Sequence, residues 1–373
     1  MDDVRINSIP LMGADKVIKT LSNMYIKVIN SGIDLFTMPS VMLWGQPGVG
    51  KSESIREIGK EIESSTNKKV NIIDVRLLLF NPVDLRGIPT SNADKSLAIW
   101  LKPKIFDLSD SSDTINILFL DEISSAPASV QASAYQITLD KTVGEHKLPH
   151  NTIVIAAGNR LTDKAVSYQM PSALANRLLH IEVEASFDSW NKWAISNNIH
   201  PYVLGFLKFK PDYLNNFDPK TNVLSFATPR TWEMVSNVLT NVSSDLSEVY
   251  ELIAGLVGRG VATEFKTWSK LYSKLPNLDD IFNGRCNYIP KELDVTYALC
   301  SAMIEYAKKH KDDLALIENS IDYGLRLSPD FSLVLLKDYM YIDKDYRKKL
   351  LRIPAYNNWL QTRGRLLDEA NGI

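Results

Sequence analysis

A glycine-rich loop near the start of the chain has the residue types needed to hold phosphate groups. Residues 45–52 read GQPGVGKS, which is the GxxxxGK[S/T] pattern of a phosphate-binding loop. The glycines let successive backbone N–H groups converge on phosphate oxygens, Lys51 adds a full positive charge, and the Ser52 hydroxyl can ligate Mg²⁺. We therefore predict that a nucleoside triphosphate binds to the loop, which consists of Gly45, Gln46, Pro47, Gly48, Val49, Gly50, Lys51 and Ser52.

The residues on either side of the loop give it the setting that phosphate binding requires. The apolar run Val41–Trp44 predicts a buried strand, and Ile55, Ile58 and Ile62 recur on one face of a predicted helix. The positive dipole end of such a helix attracts an anion. The alternative is an ordinary glycine-rich turn, which the complete pattern between a strand and a helix disfavours.

An acidic pair ends a later apolar run, Ile115–Leu120, and could complete a hydrolytic site. Asp121 can hold the Mg²⁺ that Ser52 also reaches, and Glu122 can orient and polarise the attacking water. An apolar run followed by Asp-Glu is a weak signal alone, since many strands end in an acidic turn. Together with the phosphate-binding loop, the pair predicts hydrolysis of the bound nucleotide.

Asn159 follows the next apolar run, Thr152–Ala157, and could position the same water. Its alternative role is that of a turn residue after Gly158, because Asn is common in turns for conformational reasons alone.

Apolar runs alternate with helical patterns through the first half of the chain, which predicts an α/β fold with a parallel sheet covered on both faces. The five predicted strands are 41–44, 70–76, 115–120, 152–157 and 179–183. An amphipathic helix over 14–33 precedes them, and a further helix is predicted around 172–178. The segment 81–103 is predicted to be a loop or hairpin inserted into a crossover connection, and 143–150 is predicted to be a polar turn between short strands.

Helical patterns dominate from Ser186 to the end of the chain. One long helix is expected over 246–274, with a break near its glycines, and 276–290 is expected to be a linker. A further helical block follows, in which Pro354 interrupts the final segment.

The composition is that of an ordinary globular protein of 373 residues, with 45% hydrophobic and 23% charged residues. A balance of 42 basic against 44 acidic residues gives no overall attraction to nucleic acid or to anionic membranes. Cys286 and Cys300 match neither a metal motif nor a disulfide framework. With no signal peptide and no apolar run that could span a bilayer, we expect a cytoplasmic protein.

At this point the chain resembles the AAA+ ATPases. The Walker A, Walker B, sensor 1, arginine finger and sensor 2 positions of that family are matched here by Gly45–Ser52, Ile117–Glu122, Asn159, Arg177 and Arg230. More narrowly, Asn81–Pro89 and Phe226–Trp232 resemble the MoxR branch, which includes the CbbQ and NorQ proteins. One departure is Arg160, which follows Asn159 where this branch often has proline.

The resemblance implies a magnesium-dependent ATPase that forms a ring, usually a hexamer, with ATP bound between subunits. Arg177 would reach the γ-phosphate of the neighbouring subunit, and Arg230 would contact the phosphates of its own subunit. Arg160 is a second candidate for the contact in trans. Either Arg177 or Arg230 could instead form a surface ion pair. The implied domains are an AAA+ αβα nucleotide-binding domain (1–185), a helical lid (186–275) and a C-terminal helical region (276–373).

The resemblance further implies a chaperone-like machine that remodels or activates a protein partner, often one with a von Willebrand factor A domain. The two inserted hairpins would face the central channel of the ring, where Trp100 could grip a substrate or simply pack under its hairpin. The rival function is a nucleic-acid motor or loader, against which the near-neutral charge and the few basic residues in the hairpins count. A GTP switch is disfavoured because no Asn-Lys-x-Asp string follows a strand.

Overall fold

The computed structural model describes residues 9–160, 163, 170, 175–221, 223–343 and 345–363. The chain divides into two compact units. The first holds Met1–Ser186 together with Asp218–Asn222, and the second holds Phe187–Phe217 and Val223–Ile373.

The first unit is built on a parallel sheet. Its strands, in chain order, are β1 (Leu11–Gly13), β2 (Val41–Trp44), β3 (Lys69–Arg76), β4 (Ile88–Ser91), β5 (Ala98–Leu101), β6 (Thr114–Asp121), β7 (Thr142–Val143), β8 (His146–Lys147), β9 (Thr152–Gly158) and β10 (Leu179–Glu184). Six of them form the main sheet in the order β1-β10-β2-β9-β6-β3. The five predicted strands and the α/β class are confirmed, and β1 adds a sixth strand by pairing in parallel with β10.

Helices cover both faces of this sheet, which explains why β6 and β9 are apolar almost throughout. The helices of the first unit are α1 (Ala14–Asn30), α2 (Lys51–Thr66), α3 (Pro82–Arg86) and α4 (Ala128–Asp140). Side chains of α1 and α2 share one hydrophobic cluster with the sheet, and side chains of α4 share the cluster on the opposite face. The helix predicted over 14–33 ends at Asn30 because Gly32 (φ 65°) turns the chain there.

The two inserted segments form two hairpins that are hydrogen-bonded to each other. Strands β4 and β5 pair antiparallel within the connection from β3 to β6, and β7 and β8 pair antiparallel between α4 and β9. The backbone of Trp100 joins them: its N–H donates to Glu145 Oε1 (3.1 Å), and its carbonyl accepts from His146 Nε2 (2.6 Å). A side chain at Gly144 would lie 2.6 Å from the Arg86 carbonyl oxygen, so the turn between β7 and β8 can lie this close to the end of α3 only because this residue is glycine.

The second unit consists of helices around one hydrophobic core. The helices are α5 (Phe187–Ser196), α6 (Pro201–Phe209), α7 (Pro229–Asn241), α8 (Tyr250–Val257), α9 (Arg259–Ser269), α10 (Leu278–Phe282), α11 (Leu293–Lys309), α12 (Leu314–Leu325), α13 (Pro329–Tyr339), α14 (Tyr346–Leu350) and α15 (Pro354–Arg363). The core includes both Trp232 from the predicted lid and Trp359 from the predicted C-terminal region.

The helix expected over 246–274 is broken at one of its glycines, as expected: α8 and α9 meet at Gly258 (φ 86°). One detail of the second unit differs from expectation. The expected linker over 276–290 contains α10, because Ile281 and Phe282 are buried in the core and thereby fix a short helix. Pro354 does interrupt the final segment, between α14 and α15.

A buried ion pair links α6 to α13 inside the second unit. The Lys208 ammonium lies 2.5 Å from Asp338 Oδ2, and both side chains are 2% exposed. The side-chain amide of Asn191 donates to the other oxygen of Asp338 over 2.8 Å. The predicted lid and the predicted C-terminal region are therefore connected by a buried ion pair as well as by apolar packing.

No helix in the described part of the chain is long and apolar enough to span a membrane. Both cysteines are free thiols, and burial raises the pKa of the Cys300 thiol to about 12.

Candidate active site

The phosphate-binding loop joins β2 to α2, as predicted, and its shape depends on glycine at two positions. The Gly45 N–H donates to the Gly158 carbonyl (3.3 Å), and a side chain at Gly45 would lie 2.5 Å from the Val183 carbonyl oxygen. Gly50 caps the N-terminus of α2 in the left-handed conformation (φ 100°), which side chains strongly disfavour. The loop can therefore lie close to the sheet and open directly onto the helix N-terminus.

Lys51 brings the loop and the end of β9 together. Its ammonium donates to the carbonyl oxygens of Gly45 (2.6 Å) and Gln46 (2.9 Å) and to Asn159 Oδ1 (3.3 Å). The side chain is largely buried. The positive charge that would meet a phosphate thus already lies within the loop, beside the residue predicted to position water.

Ser52 and Asp121 form the second contact between the predicted site residues. The Ser52 hydroxyl donates to Asp121 Oδ2 over 3.0 Å, while Asp121 Oδ1 accepts the backbone N–H of Glu122 over 2.8 Å. A hydroxyl and a carboxylate side by side fit Mg²⁺, which is bound through one or two protein oxygens, waters and substrate phosphates. Among the described residues no cluster of three or more His, Cys, Asp or Glu side chains could form an all-protein metal cage.

Glu122 occupies an unusual backbone position. Its φ is 60°, in the left-handed region, which costs a residue with a side chain about 1–2 kcal/mol. The next residue of the turn is tied to β9, because the Ile123 N–H donates to the Ala157 carbonyl (2.9 Å). Strained residues of this kind cluster at functional sites. The dipeptide Asp-Glu in the sequence gives no sign of this conformation.

Ser124 is a site residue that sequence reasoning missed. Its buried hydroxyl accepts the backbone N–H of Asn159 over 2.9 Å and so fixes the end of β9 against the turn after β6. A side chain at Gly158 would lie 2.8 Å from this hydroxyl, which would have to move to make room. A serine two residues after an acidic pair is too common a feature to be noticed in one sequence.

Arg160 is held by carboxylates of its own chain. It lies 2.7 Å from Asp163 and 2.5 Å from Glu182, whose side chains are both nearly inaccessible. Burial opposes the charge, but the hydrogen bonds and negative charges of Asp163 and Glu182 outweigh it and raise the pKa of Arg160 above its usual range. Moving Arg160 toward another subunit would leave these buried carboxylates unpaired.

Arg177 and Arg230 are both exposed. Arg177 lies in the turn 175–178 that leads into β10, and the rest of the helix predicted around 172–178 lies outside the described residues. Arg230 is the second residue of α7, a helix capped by the Thr228 side chain, which accepts the N–H of Thr231. Arg230 belongs to the second unit, and the roles of both arginines stay predictions.

Residues 41–183 match the family model of the ATPases associated with various cellular activities, the AAA family. This stretch contains the phosphate-binding loop, the acidic pair, Asn159 and Arg177. The sequence matches none of the curated proteins with which it was compared.

Several solved structures are similar to this chain at low sequence identity. A Cytophaga hutchinsonii protein described as a "putative ATPase" is 19% identical, with a TM-score of 0.33, and the match covers 62% of each chain. A mutant of RuvB from Thermotoga maritima is 16% identical over 78% of this chain and 82% of its own, with a TM-score of 0.39. PCH-2 of C. elegans is 13% identical over 80% of this chain and 69% of its own, with a TM-score of 0.34. At these TM-scores the likenesses say nothing about what this chain does.

Proposed function

We propose that this chain is an ATP-hydrolysing machine of the MoxR type that remodels or activates a protein partner; the match of residues 41–183 to the AAA ATPase family model supports the ATPase part of this proposal. The observation that supports hydrolysis most directly is the convergence of Lys51, Asn159 and the Ser52–Asp121 pair at the carboxyl ends of β2, β9 and β6. In parallel sheets this edge is where ligands bind.

Each residue of the site has a chemical task in this proposal. Lys51 and the backbone N–H groups of the loop bind the phosphates of ATP. Ser52 and Asp121 would hold Mg²⁺, which neutralises charge on the phosphates when bound. Glu122 orients and polarises the attacking water, and Asn159 helps to position it.

The proposed active form is a ring, hexameric by the resemblance, in which Arg177 completes the site of the next subunit. A guanidinium there stabilises the negative charge that develops in the transition state. The exposure of Arg177 supports this assignment over Arg160, whose guanidinium is already bound by Asp163 and Glu182. Arg230 would contact the phosphates bound to its own subunit and couple the nucleotide state to the lid.

The two hairpins support the MoxR assignment and a protein partner. They interrupt the fold in the segments where the chain resembles that branch, and the β4–β5 hairpin exposes Ile88, Leu97 and Leu101 by more than half of their surface. Apolar side chains suit contact with a polypeptide, whereas binding to a nucleic-acid backbone relies on Lys and Arg. The partner we propose, on resemblance alone, carries a von Willebrand factor A domain.

Phosphate release from ATP with Mg²⁺ tests hydrolysis. Glu122→Gln should still bind ATP yet lose turnover by about 10²–10⁴-fold, the range that a general base contributes. Glu61→Gln, an exposed change on α2, is the matched control and should hydrolyse ATP normally. Undiminished turnover in Glu122→Gln would contradict the assignment of the site.

The partner is tested with the same variant. Glu122→Gln loaded with ATP should capture a protein carrying a von Willebrand factor A domain, and a Lys51→Ala, Glu122→Gln double variant should not. Light scattering with and without ATP measures the ring size. Stimulation of ATPase activity by DNA, falling steeply with salt, would replace the protein partner with a nucleic acid.

A further inference from the structure

A chain of side-chain contacts runs from the phosphate-binding loop to the turn that carries Arg177. Trp44, the residue before the loop, donates its indole N–H to His180 Nδ1 over 2.9 Å. His180, the second residue of β10, contacts the Ala175 carbonyl through Nε2 over 2.7 Å. Ala175 precedes Arg177 by two residues.

The indole fixes the protonation of the imidazole in this chain of contacts. An indole N–H can only donate, so Nδ1 of His180 must accept and the ring proton lies on Nε2. Nε2–H then has to donate to the Ala175 carbonyl. His180 is thereby held in one tautomer and one orientation, with each ring nitrogen bound to a different segment.

The contact at Ala175 fixes the turn that presents Arg177. The same carbonyl accepts the backbone N–H of Leu178 (3.3 Å), which closes the turn around Arg177. Trp44 and Ala175 both pack against the hydrophobic cluster on the α4 face of the sheet, so the two ends of the contact chain rest on one surface. Arg177 itself is exposed, and the backbone of this turn fixes the point from which its side chain extends.

We propose that His180 is a positioning residue that ties the turn carrying Arg177 to the strand of the phosphate-binding loop. This inference rests on the proposed function, in which Arg177 acts on the nucleotide of the neighbouring subunit. A guanidinium on a long side chain reaches the γ-phosphate only if its backbone is held in place, and small misplacements in an active site cost large factors in rate.

Three substitutions separate positioning from packing. His180→Phe keeps an aromatic ring stacked on Trp44, with the present centroids 6.1 Å apart, but removes both hydrogen bonds. His180→Gln offers an amide N–H that can replace Nε2–H toward Ala175. Trp44→Phe removes the donor that selects the tautomer, together with part of the ring that packs against the hydrophobic cluster. We expect kcat to fall about 10–100-fold in His180→Phe with KM for ATP unchanged, and to recover partly in His180→Gln.

His150→Phe is the matched control, because His150 lies in the loop before β9, is 72% exposed and contacts Asp34 instead. It should turn over ATP at the normal rate. A double variant carrying His180→Phe and Arg177→Ala should be no slower than Arg177→Ala alone, since both changes remove the same contribution. Losses that multiply in the double variant would show that His180 acts through something other than Arg177.

Amide hydrogen exchange of the segment 175–178 provides a readout that does not depend on activity. Exchange should be faster in His180→Phe than in the unsubstituted protein and in His150→Phe. Unchanged exchange overturns the inference while leaving the proposed function intact. Full turnover in Arg177→Ala overturns the role of Arg177 in trans, and with it this inference, whatever the exchange shows.

Discussion

Lys51 and Asn159, which are 108 residues apart in sequence, are joined by a hydrogen bond of 3.3 Å from the ammonium to the amide oxygen. The residue predicted to bind phosphate and the residue predicted to position water are therefore in direct contact within the protein. A substitution at either one also changes the environment of the other, so the effects of the two on turnover should not be independent.

Lys51→Met should weaken ATP binding by about 10–100-fold. A hydrogen bond to a charged group contributes about 1.5–3 kcal/mol, and about 1.4 kcal/mol corresponds to a factor of ten in affinity. Titration with a fluorescent ATP analogue measures the change. Lys60→Met on the same helix, where the side chain is 67% exposed and pairs with Glu57, should bind normally. Equal affinity in the two variants would place the phosphates elsewhere.

Ser124→Ala should slow ATP hydrolysis more than it weakens ATP binding. The change leaves the Asn159 N–H without its acceptor, and a buried unpaired donor costs about 1–3 kcal/mol. Steady-state kinetics and thermal unfolding together measure the effect. Ser133→Ala serves as the control, because this similarly buried hydroxyl donates within its own helix, to the Ser129 carbonyl. The prediction fails if the two variants are alike.

Asp338→Asn should lower the free energy of unfolding of the second unit by about 3–5 kcal/mol, since it leaves the Lys208 charge buried without a counter-charge. Urea unfolding measures this. Asp343→Asn, which breaks the more exposed Lys311–Asp343 pair, should cost no more than about 1 kcal/mol. Combining Asp338→Leu with Lys208→Met should recover most of the loss. A single Asp338→Asn change that is as mild as Asp343→Asn would contradict the prediction.

His200 should make the second unit less stable in mild acid. Burial, with a smaller contribution from the positive charge of Lys309, lowers the pKa of His200 from 6.5 to about 4. Between these values the unfolded chain binds a proton that the folded chain does not, so the free energy of unfolding falls as the pH is lowered. The loss attributable to His200 between pH 7 and pH 5 should be about 1–2 kcal/mol.

His200→Asn tests this directly, because the His200 side chain caps α6 by accepting the Tyr202 N–H and Asn is a good cap that does not titrate. Urea unfolding at the two pH values should show that the free energy of unfolding falls less between pH 7 and pH 5 in the variant. An equal fall in the variant would show that groups other than His200 cause it.

The parts of the fold that could be predicted are those with local signals. The loop pattern, the apolar strands and the helical stripe of α1 each depend on residues that are close in sequence. Strand β1 could not be predicted because three residues are too few to show an alternating pattern. Helix α10 could not be predicted because it is fixed by burial of Phe282 in a core assembled from distant segments. The Ser124–Asn159 contact likewise exists only once two strands lie side by side.

The hydrogen bonds between the two hairpins affect how a force would be passed through the first unit. The β4–β5 hairpin is hydrogen-bonded through the Trp100 backbone to Glu145 and His146 of the β7–β8 hairpin. The β7–β8 hairpin follows α4 directly, and α4 begins shortly after the Asp121–Glu122 turn. We therefore expect a force on the β4–β5 hairpin to be passed through the β7–β8 hairpin and α4 toward the Asp121–Glu122 turn.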